Sequence, residues 1–288
     1  MIRFSALIGR RDMVNGVATR SCLVATRPKP TCNMSTWSGK GCTQEDFMLK
    51  DMCLVVDLDD QIVGHSNKHE VHTFDNGARR QGTLHRAFSV FLFDSQNRLL
   101  LQQRAADKIT FPSVWTNTCC SHPLFGQKPS EVDEPFQIAD GSVPGVKAAA
   151  VRKLHHELGM DPSQLASLDF KFLTRLRYCA RDEDTWGVDA PWGEHEVDYI
   201  LFARLPGSGF GPKGESVFLD PNPEEIQALK FVTGDELKSM MRPETGLKWS
   251  PWFRIIAEKF LGNWWAEIDD VMYQEKHRDF NTIHHILS

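Results

Sequence analysis

The chain has 288 residues, 41% hydrophobic and 25% charged, with a net charge of −5 and a pI of about 6.1. That balance fits one or two globular domains with ample core and argues against general nucleic-acid binding. No stretch approaches the roughly 18 apolar residues of a spanning helix, and seven cysteines with no CxxC pair fit a reducing compartment better than a disulfide scaffold.

Residues 1–44 differ from the rest. Arg3, Arg10, Arg11, Arg20, Arg27, Lys29 and Lys40 face a single acid before that boundary, Asp12, and serines and threonines are frequent. A basic, hydroxyl-rich, acid-poor leader has the composition of an organelle transit peptide, and the alternative is a basic tail with no address. Plastid is favoured over mitochondrion, with a cytoplasmic location as the alternative.

Folded sequence is expected from near Met48. Cys53–Leu58 reads as a strand, 59–61 as a turn and Ile62–Gly64 as the return strand of a hairpin. A histidine-rich segment follows, with His65, His69, His72 and His85. Ala87–Phe93 is too apolar to be exposed on either face, and Arg98–Gln103 is the next strand after a turn at 94–97. Arg104 and Lys108 then lead into Thr116-Asn117-Thr118-Cys119-Cys120-Ser121-His122-Pro123. There the i, i+2 spacing of Cys120 and His122 points a thiol and an imidazole to one side of an extended segment, and Pro123 disfavours helix at His122.

Residues 125–144 read as loop, and Gly145–Leu158 as a helix with an apolar face at Val146, Ala149, Ala150 and Leu154 and a Gly159 C-cap. Phe170–Ala180 and Val197–Leu205 read as strands, with Trp186, Trp192 and Gly193-Glu194-His195-Glu196 in the loop between them. Residues 206–223 form a Gly/Pro-rich loop, and Leu229–Val232 is a short strand. Thr233 and Glu236 have capping-box spacing for a helix to about Met241, and Ser250-Pro251 opens the last long helix with a stripe of Phe253, Ile256, Phe260 and Trp264. Strands and helices alternate with hairpin-length connections in the first half, which predicts a mixed sheet covered by helices in one compact domain, residues 45–288.

His72, His85 and His122 with Glu194 and Glu196 are metal-ligand types. Imidazoles with carboxylates suit Zn, Mn or Mg, and no local zinc-finger spacing exists, so such a site has to be assembled from distant segments. Lys68, Arg104 and Lys108 flank the same segments and suit a phosphate or diphosphate.

The helix end Arg152-Lys153-Leu154-His155-His156-Glu157-Leu158-Gly159-Met160 resembles the second half of a Nudix box, with Lys153 and His156 where the box has glutamates and Ile138 where it has its first glycine. That loss of carboxylates predicts poor pyrophosphate hydrolysis. Five further motifs resemble, in order, the type I isopentenyl-diphosphate isomerases, which have the Nudix fold. They are Leu84-His-Arg-Ala-Phe-Ser89, Leu101-Gln-Gln-Arg104, Thr116 to Pro123, Trp192-Gly-Glu-His-Glu-Val-Asp198 and Ser250-Pro-Trp-Phe253. The resemblance runs from roughly Asp51 to Trp265, and Cys119-Cys120 with Trp192–Glu196 is typical of the eukaryotic branch.

The resemblance implies an α/β (α+β) Nudix fold and the reversible conversion of isopentenyl to dimethylallyl diphosphate in isoprenoid biosynthesis. It also implies a role for each matching residue. Cys120 and Glu196 carry the two proton transfers from opposite faces of the substrate, Tyr178 hydrogen-bonds that carboxylate, and Trp252 faces the carbocation. Lys68, Arg104 and Lys108 bind the diphosphate. His72, His85, His122, Glu194 and Glu196 hold a divalent metal, and Glu157 helps hold a second Mg on the diphosphate. His69 and Val71 depart from the tyrosine and cysteine more usual in eukaryotic relatives, at spacer positions. The expected partner is the small diphosphate substrate, with no nucleic acid, no membrane insertion and no obligate protein partner.

Overall fold

The structure is a computed structural model, described here for residues 43–75, 77, 80–206 and 219–286. It begins earlier than the sequence suggests. Helix α1, Gln44–Lys50, is closed by a capping box between Thr43 and Asp46. Residues 1–42 of the proposed leader lie outside the described residues, as do 207–218 of the Gly/Pro-rich loop.

Strands β1 (Met52–Val56) and β2 (Ile62–Asn67) form the expected antiparallel hairpin, and the chain turns directly into the short helix α2, Lys68–His72, capped by Asn67. Strand β3, His85–Phe93, is buried at all nine positions. The cause is its place in the sheet. One edge pairs in parallel with β8 (Gly193–Arg204), residue for residue from His85↔Glu196 to Phe93↔Arg204. Its other edge is shared in turn by β1 at His85, by β6 (Cys119–Ser121) at Phe88–Val90 and by β4 (Leu99–Arg104) at Phe93. β5 (Trp115–Thr116) and β9 (Ile226–Val232) extend the β4 edge, while β7 (Lys171–Arg181) pairs antiparallel with β8. Strand β10, Ile283–His285, adds to β7 in parallel and was not read from the sequence.

Two helical layers cover this mixed sheet. On one face lies α4, Pro144–Leu158, preceded by the five-residue α3, Pro135–Ala139, inside the segment read as loop. A sequence of five residues with proline at its start carries too short a period to announce a helix. The apolar face expected of α4 holds: Val146, Ala149, Ala150 and Leu154 pack on Phe88, Val90, Leu92, Val197 and Leu201. Asp133 caps its start from outside, accepting from Gly145 N at 2.6 Å and Val146 N at 2.9 Å. Gly159, at φ 62°, ends it as expected. Short α5 (Pro162–Leu165) and α6 (Glu183–Trp186) sit in connections.

On the other face, α7 (Gly234–Met240) follows the predicted capping box of Thr233 and Glu236. Helix α8, Pro251–Ile256, runs through a π turn at Ala257–Leu261 into α9, Gly262–Ala266, and α10, Ile268–Tyr273, follows. Phe253, Ile256 and Trp264 of the expected stripe are buried against Phe91, Phe93 and Phe202. The pleat divides β3 between the layers: 88, 90 and 92 face α4, while 91 and 93 face the C-terminal helices.

A second expectation, after the loop that holds α3, is corrected here. Residues 193–196 are not loop but the start of β8, paired with β7 at Arg181↔Gly193 through Tyr178↔Glu196. Polar residues can open a strand where its first turns line a cleft rather than the core.

Candidate active site

The site lies where β3, β6, β7 and β8 meet the α8 layer. Alternation selects its residues. Glu194 and Glu196 share one side of β8, Tyr178 stands opposite Glu196 on β7, and His85 stands opposite it on β3. Cys120 pairs with Ser89. Adjacent Cys119 points the other way, fully buried in the core under α4. A one-residue shift reverses the face of every side chain on a strand, so the pleat separates the two thiols completely.

His72, His85, His122, Glu194 and Glu196 come together as five buried groups whose ligand atoms all lie within 4.8 Å of one another. Their second contacts fix their orientation. His72 Nδ1 lies 2.6 Å from Lys68 O and His85 Nδ1 2.8 Å from Thr83 O. A carbonyl only accepts, so each Nδ1 carries the proton and each Nε2 turns a lone pair inward. His72 Nε2 sits 2.8 Å from Glu194 Oε2. His72 Nε2, His85 Nε2 and Glu194 Oε2 nevertheless have no hydrogen-bond partner. Three buried lone-pair atoms facing one another are a poor arrangement unless a cation sits between them, so the set fits a divalent metal. Burial holds the imidazoles neutral: His72 is lowered to about 3, and His85 and His122 fall well below the usual histidine range.

Glu196 is held on both oxygens. His122 Nε2 lies 2.9 Å from Oε1, and the Tyr178 hydroxyl donates to Oε2. Burial, then the neighbouring Glu194 charge, pushes Glu196 well above the carboxylate range. Burial raises Glu194 to about 7 against the pull of Arg104 and Lys68.

One cleft joins these groups to the rest of the expected set: Cys120, Tyr178, Glu194, Glu196 and Trp252 line it together with Lys68, Arg104, Lys108 and Glu157. Arg104 is braced by Phe111 O (2.9 Å) and Thr110 O (2.7 Å), with Nη1 3.9 Å from Cys120 Sγ. Its guanidinium lies 5.7 Å from the Trp252 ring centroid. Burial pushes the Cys120 thiol up to about 12 despite Arg104. Glu157 lines the cleft but stands apart from the five-ligand group. It accepts from Gln102 at 3.1 Å and pairs with Lys153 at 3.0 Å.

Arg152 binds the Glu131 carboxylate at 2.6 and 2.9 Å and His122 O at 3.0 Å, tying α4 to the strand that carries Cys120. Three residues of the site had no assignment from sequence. Lys153 lines the cleft. Glu225 pairs with Lys108 at 2.6 Å from a distant segment with no local signal. Asp198 is buried beside Glu196 and accepts from the Ser89 hydroxyl at 2.8 Å. For Asp198 a signal was present, since it extends the i, i+2 series of Glu194 and Glu196.

A NUDIX domain matches residues 83–253, more than half of the chain, so the fold is that of the Nudix class. Curated relatives narrow the class. Isopentenyl-diphosphate delta-isomerase of Schizosaccharomyces pombe is 47% identical over 225 residues, 77% of this chain and 86% of the relative. Isopentenyl-diphosphate Delta-isomerase I of Clarkia breweri is 40% identical over 251 residues, 86% of this chain and 78% of the relative. The chloroplastic Isopentenyl-diphosphate Delta-isomerase I of Arabidopsis thaliana is 39% identical over 258 residues, 88% of this chain and 80% of the relative. The chain belongs to the isopentenyl-diphosphate delta-isomerase family and is an isomerase.

Proposed function

We propose that the chain interconverts isopentenyl and dimethylallyl diphosphate with Cys120 and Glu196 as its two proton-transfer groups. The observation that carries this reading is one cleft shared by a thiol, a buried carboxylate, an indole and three cations.

An alkene carbon is a very weak base, and its protonation gives a tertiary carbocation that water would quench. The reaction therefore needs an acid, a base and a dry site. One group gives a proton to the terminal carbon, the other removes one from the neighbouring methylene, and the double bond moves with no net change in protons. Buried Cys120 is protonated at neutral pH, and Glu196 is buried with it. The Tyr178 hydroxyl donates to Glu196 and steadies it. Trp252 presents a face whose quadrupole stabilises the cation without offering a nucleophile. Lys68, Arg104 and Lys108 anchor the diphosphate.

His72, His85, His122, Glu194 and Glu196 would hold a divalent ion, Mg, Mn or Zn, and Glu157 would help hold a second Mg with the diphosphate. A bound ion would make the Glu196 carboxyl a stronger acid. Nucleotide hydrolysis is disfavoured because Lys153 and His156 replace two box carboxylates, and both lie near Glu225.

The test is conversion of isopentenyl to dimethylallyl diphosphate by the full chain with Mg, beside Cys120→Ala. Turnover should fall at least about 100-fold in the variant, the scale of a positioned acid or base. Equal turnover would remove Cys120 from the mechanism, and no turnover by metal-loaded wild type would remove the activity.

Residues 1–44 we read as a transit leader, plastid in preference to mitochondrion, and 45–288 as the catalytic unit. Leader composition and the chloroplastic designation of the Arabidopsis relative support this. A fluorescent protein fused behind residues 1–44 should enter plastids, and a cytoplasmic signal would reject the leader.

A further inference from the structure

We propose that Asn117 is a positioning residue that sets the plane of the Trp252 indole and couples it to the strand carrying Cys120. The inference rests on the cation-facing role of Trp252 given above.

Asn117 is fully buried, three residues before Cys120. All four of its hydrogen-bonding capacities are used. Oδ1 accepts from Trp252 Nε1 at 3.1 Å and from the Thr116 hydroxyl at 2.9 Å. Nδ2 donates to Val90 O at 3.1 Å and to Cys119 O at 2.9 Å. The amide orientation is chemically forced. An indole N–H only donates and a backbone carbonyl only accepts, so a flipped amide would lose the indole and carbonyl bonds together.

The polarity extends to α8. Thr116 spends its one proton on Asn117, so the 2.7 Å contact between Thr116 Oγ1 and Ser250 Oγ takes its proton from Ser250. Ser250 then keeps its lone pairs for Phe253 N, as an N-cap should. Trp252 thus stands on a helix whose cap and whose indole N–H are both bound to residues 116 and 117.

Cation stabilisation by an aromatic ring depends on presenting the face and falls off as the ring tilts. Helix α8 fixes the backbone of Trp252, but rotation about its side-chain torsions would still swing the ring. Phe111 packs against it in a T-shape at 5.6 Å and 87°, the Tyr178 ring lies 6.4 Å away at 37° and the Arg104 guanidinium 5.7 Å from its centroid; these contacts restrict the ring, and none is a directional bond that fixes its tilt. The Asn117 acceptor chooses it. Accepting the N–H also shifts electron density into the indole, which strengthens the face toward a cation. The same side chain holds Cys119 O, so the strand that carries Cys120 and the cation-facing ring share one anchor.

The test uses the full chain, wild type and the variants Asn117→Ala, Asn117→Ser, Trp252→Phe and Asn117→Ala/Trp252→Phe. Two readouts are taken: kcat with KM, and relative affinity for a diphosphate carrying a tertiary ammonium at the cation position against its neutral saturated analogue. Asn117→Ala should lower kcat about 10-fold or more and lower the ammonium preference in step. KM should stay within about 3-fold, because the diphosphate contacts are untouched. In the Trp252→Phe background, which has no indole N–H, the same change should cost under about 3-fold. Equal losses in both backgrounds would overturn the inference and leave Asn117 a packing residue. If Trp252→Phe itself keeps kcat and ammonium preference, the role of Trp252 fails, a separate result. Should the Asn117 variants not fold, the indole ¹⁵N–H signal of wild type decides, assigned by its loss in Trp252→Phe. Slow exchange with deuterium, unchanged by the ammonium diphosphate, supports the bond; rapid exchange overturns it.

Discussion

Lys108 lies buried in the lining of the cleft, 2.6 Å from Glu225. Burial lowers its pKa to about 8; Lys68, Arg104 and Lys153 push the same way, and Glu225 opposes them. The amine is charged below that value and neutral above it, so a bound diphosphate loses one cation as pH rises through about 8. The KM for isopentenyl diphosphate should therefore climb above pH 8, and Lys108→Arg, permanently charged, should abolish the climb. A flat profile in wild type would remove Lys108 from substrate binding. The two cysteines give a second contrast. Cys119→Ala removes a buried thiol from the α4 core and should cost about 1 kcal/mol of stability with kcat within a few-fold, whereas Cys120→Ala should abolish turnover while sparing the fold. Thermal unfolding beside kinetics separates them. The sequence supplied both thiols and the family supplied the choice, but the physical reason for it, opposite sides of one pleat, is a property of pairing to β3.

Among the elements, α4 depends on its ends. Gly159 takes φ 62° at the C-cap, and a Cβ there would lie 2.3 Å from Asp220 O. Asp220 N and Asn222 N in turn bond the last carbonyls, Leu158 O at 2.9 Å and Glu157 O at 2.8 Å. Gly159→Ala should then cost about 2 kcal/mol or more from backbone strain and the displaced 219–222 segment, a Tm loss of several degrees for a domain of this size. An unchanged melting curve would mean that the segment moves freely. This cap was legible because glycine after an apolar helical face has one common meaning. Helix α3 and strand β10 were not. Each is too short to show a period, and each exists because a larger element gives it a surface, β7 in the case of β10.

At the scale of the molecule, two clusters join distant parts of the chain. Asp60, at a turn tip, is buried and receives Arg86 Nε and Arg175 Nη1, each at 2.9 Å, together with the Tyr199 hydroxyl. Asp60→Ala strands two buried guanidinium groups and should destabilise by about 3–5 kcal/mol, read as a lower urea midpoint. A loss under 1 kcal/mol would show that water reaches them. The His/Glu cluster draws on α2, β3, β8 and the residue after β6. Dialysis against a chelator should lower Tm, and added divalent ion should restore it, by about 4 kcal/mol at 1,000 times Kd. His85→Ala should remove that response, and no shift in wild type would argue against a resident ion. By itself the sequence determined the residue types, the strand and helix periods, the C-terminal end of α4, the start of α8 and the family motifs, because these are local and repeat within a few residues. Only the tertiary structure decided that five ligands from four segments converge, that Glu225 holds Lys108 and that Asn117 holds Trp252. Such contacts span up to 135 residues and are fixed by strand register and layer packing, which no local pattern records.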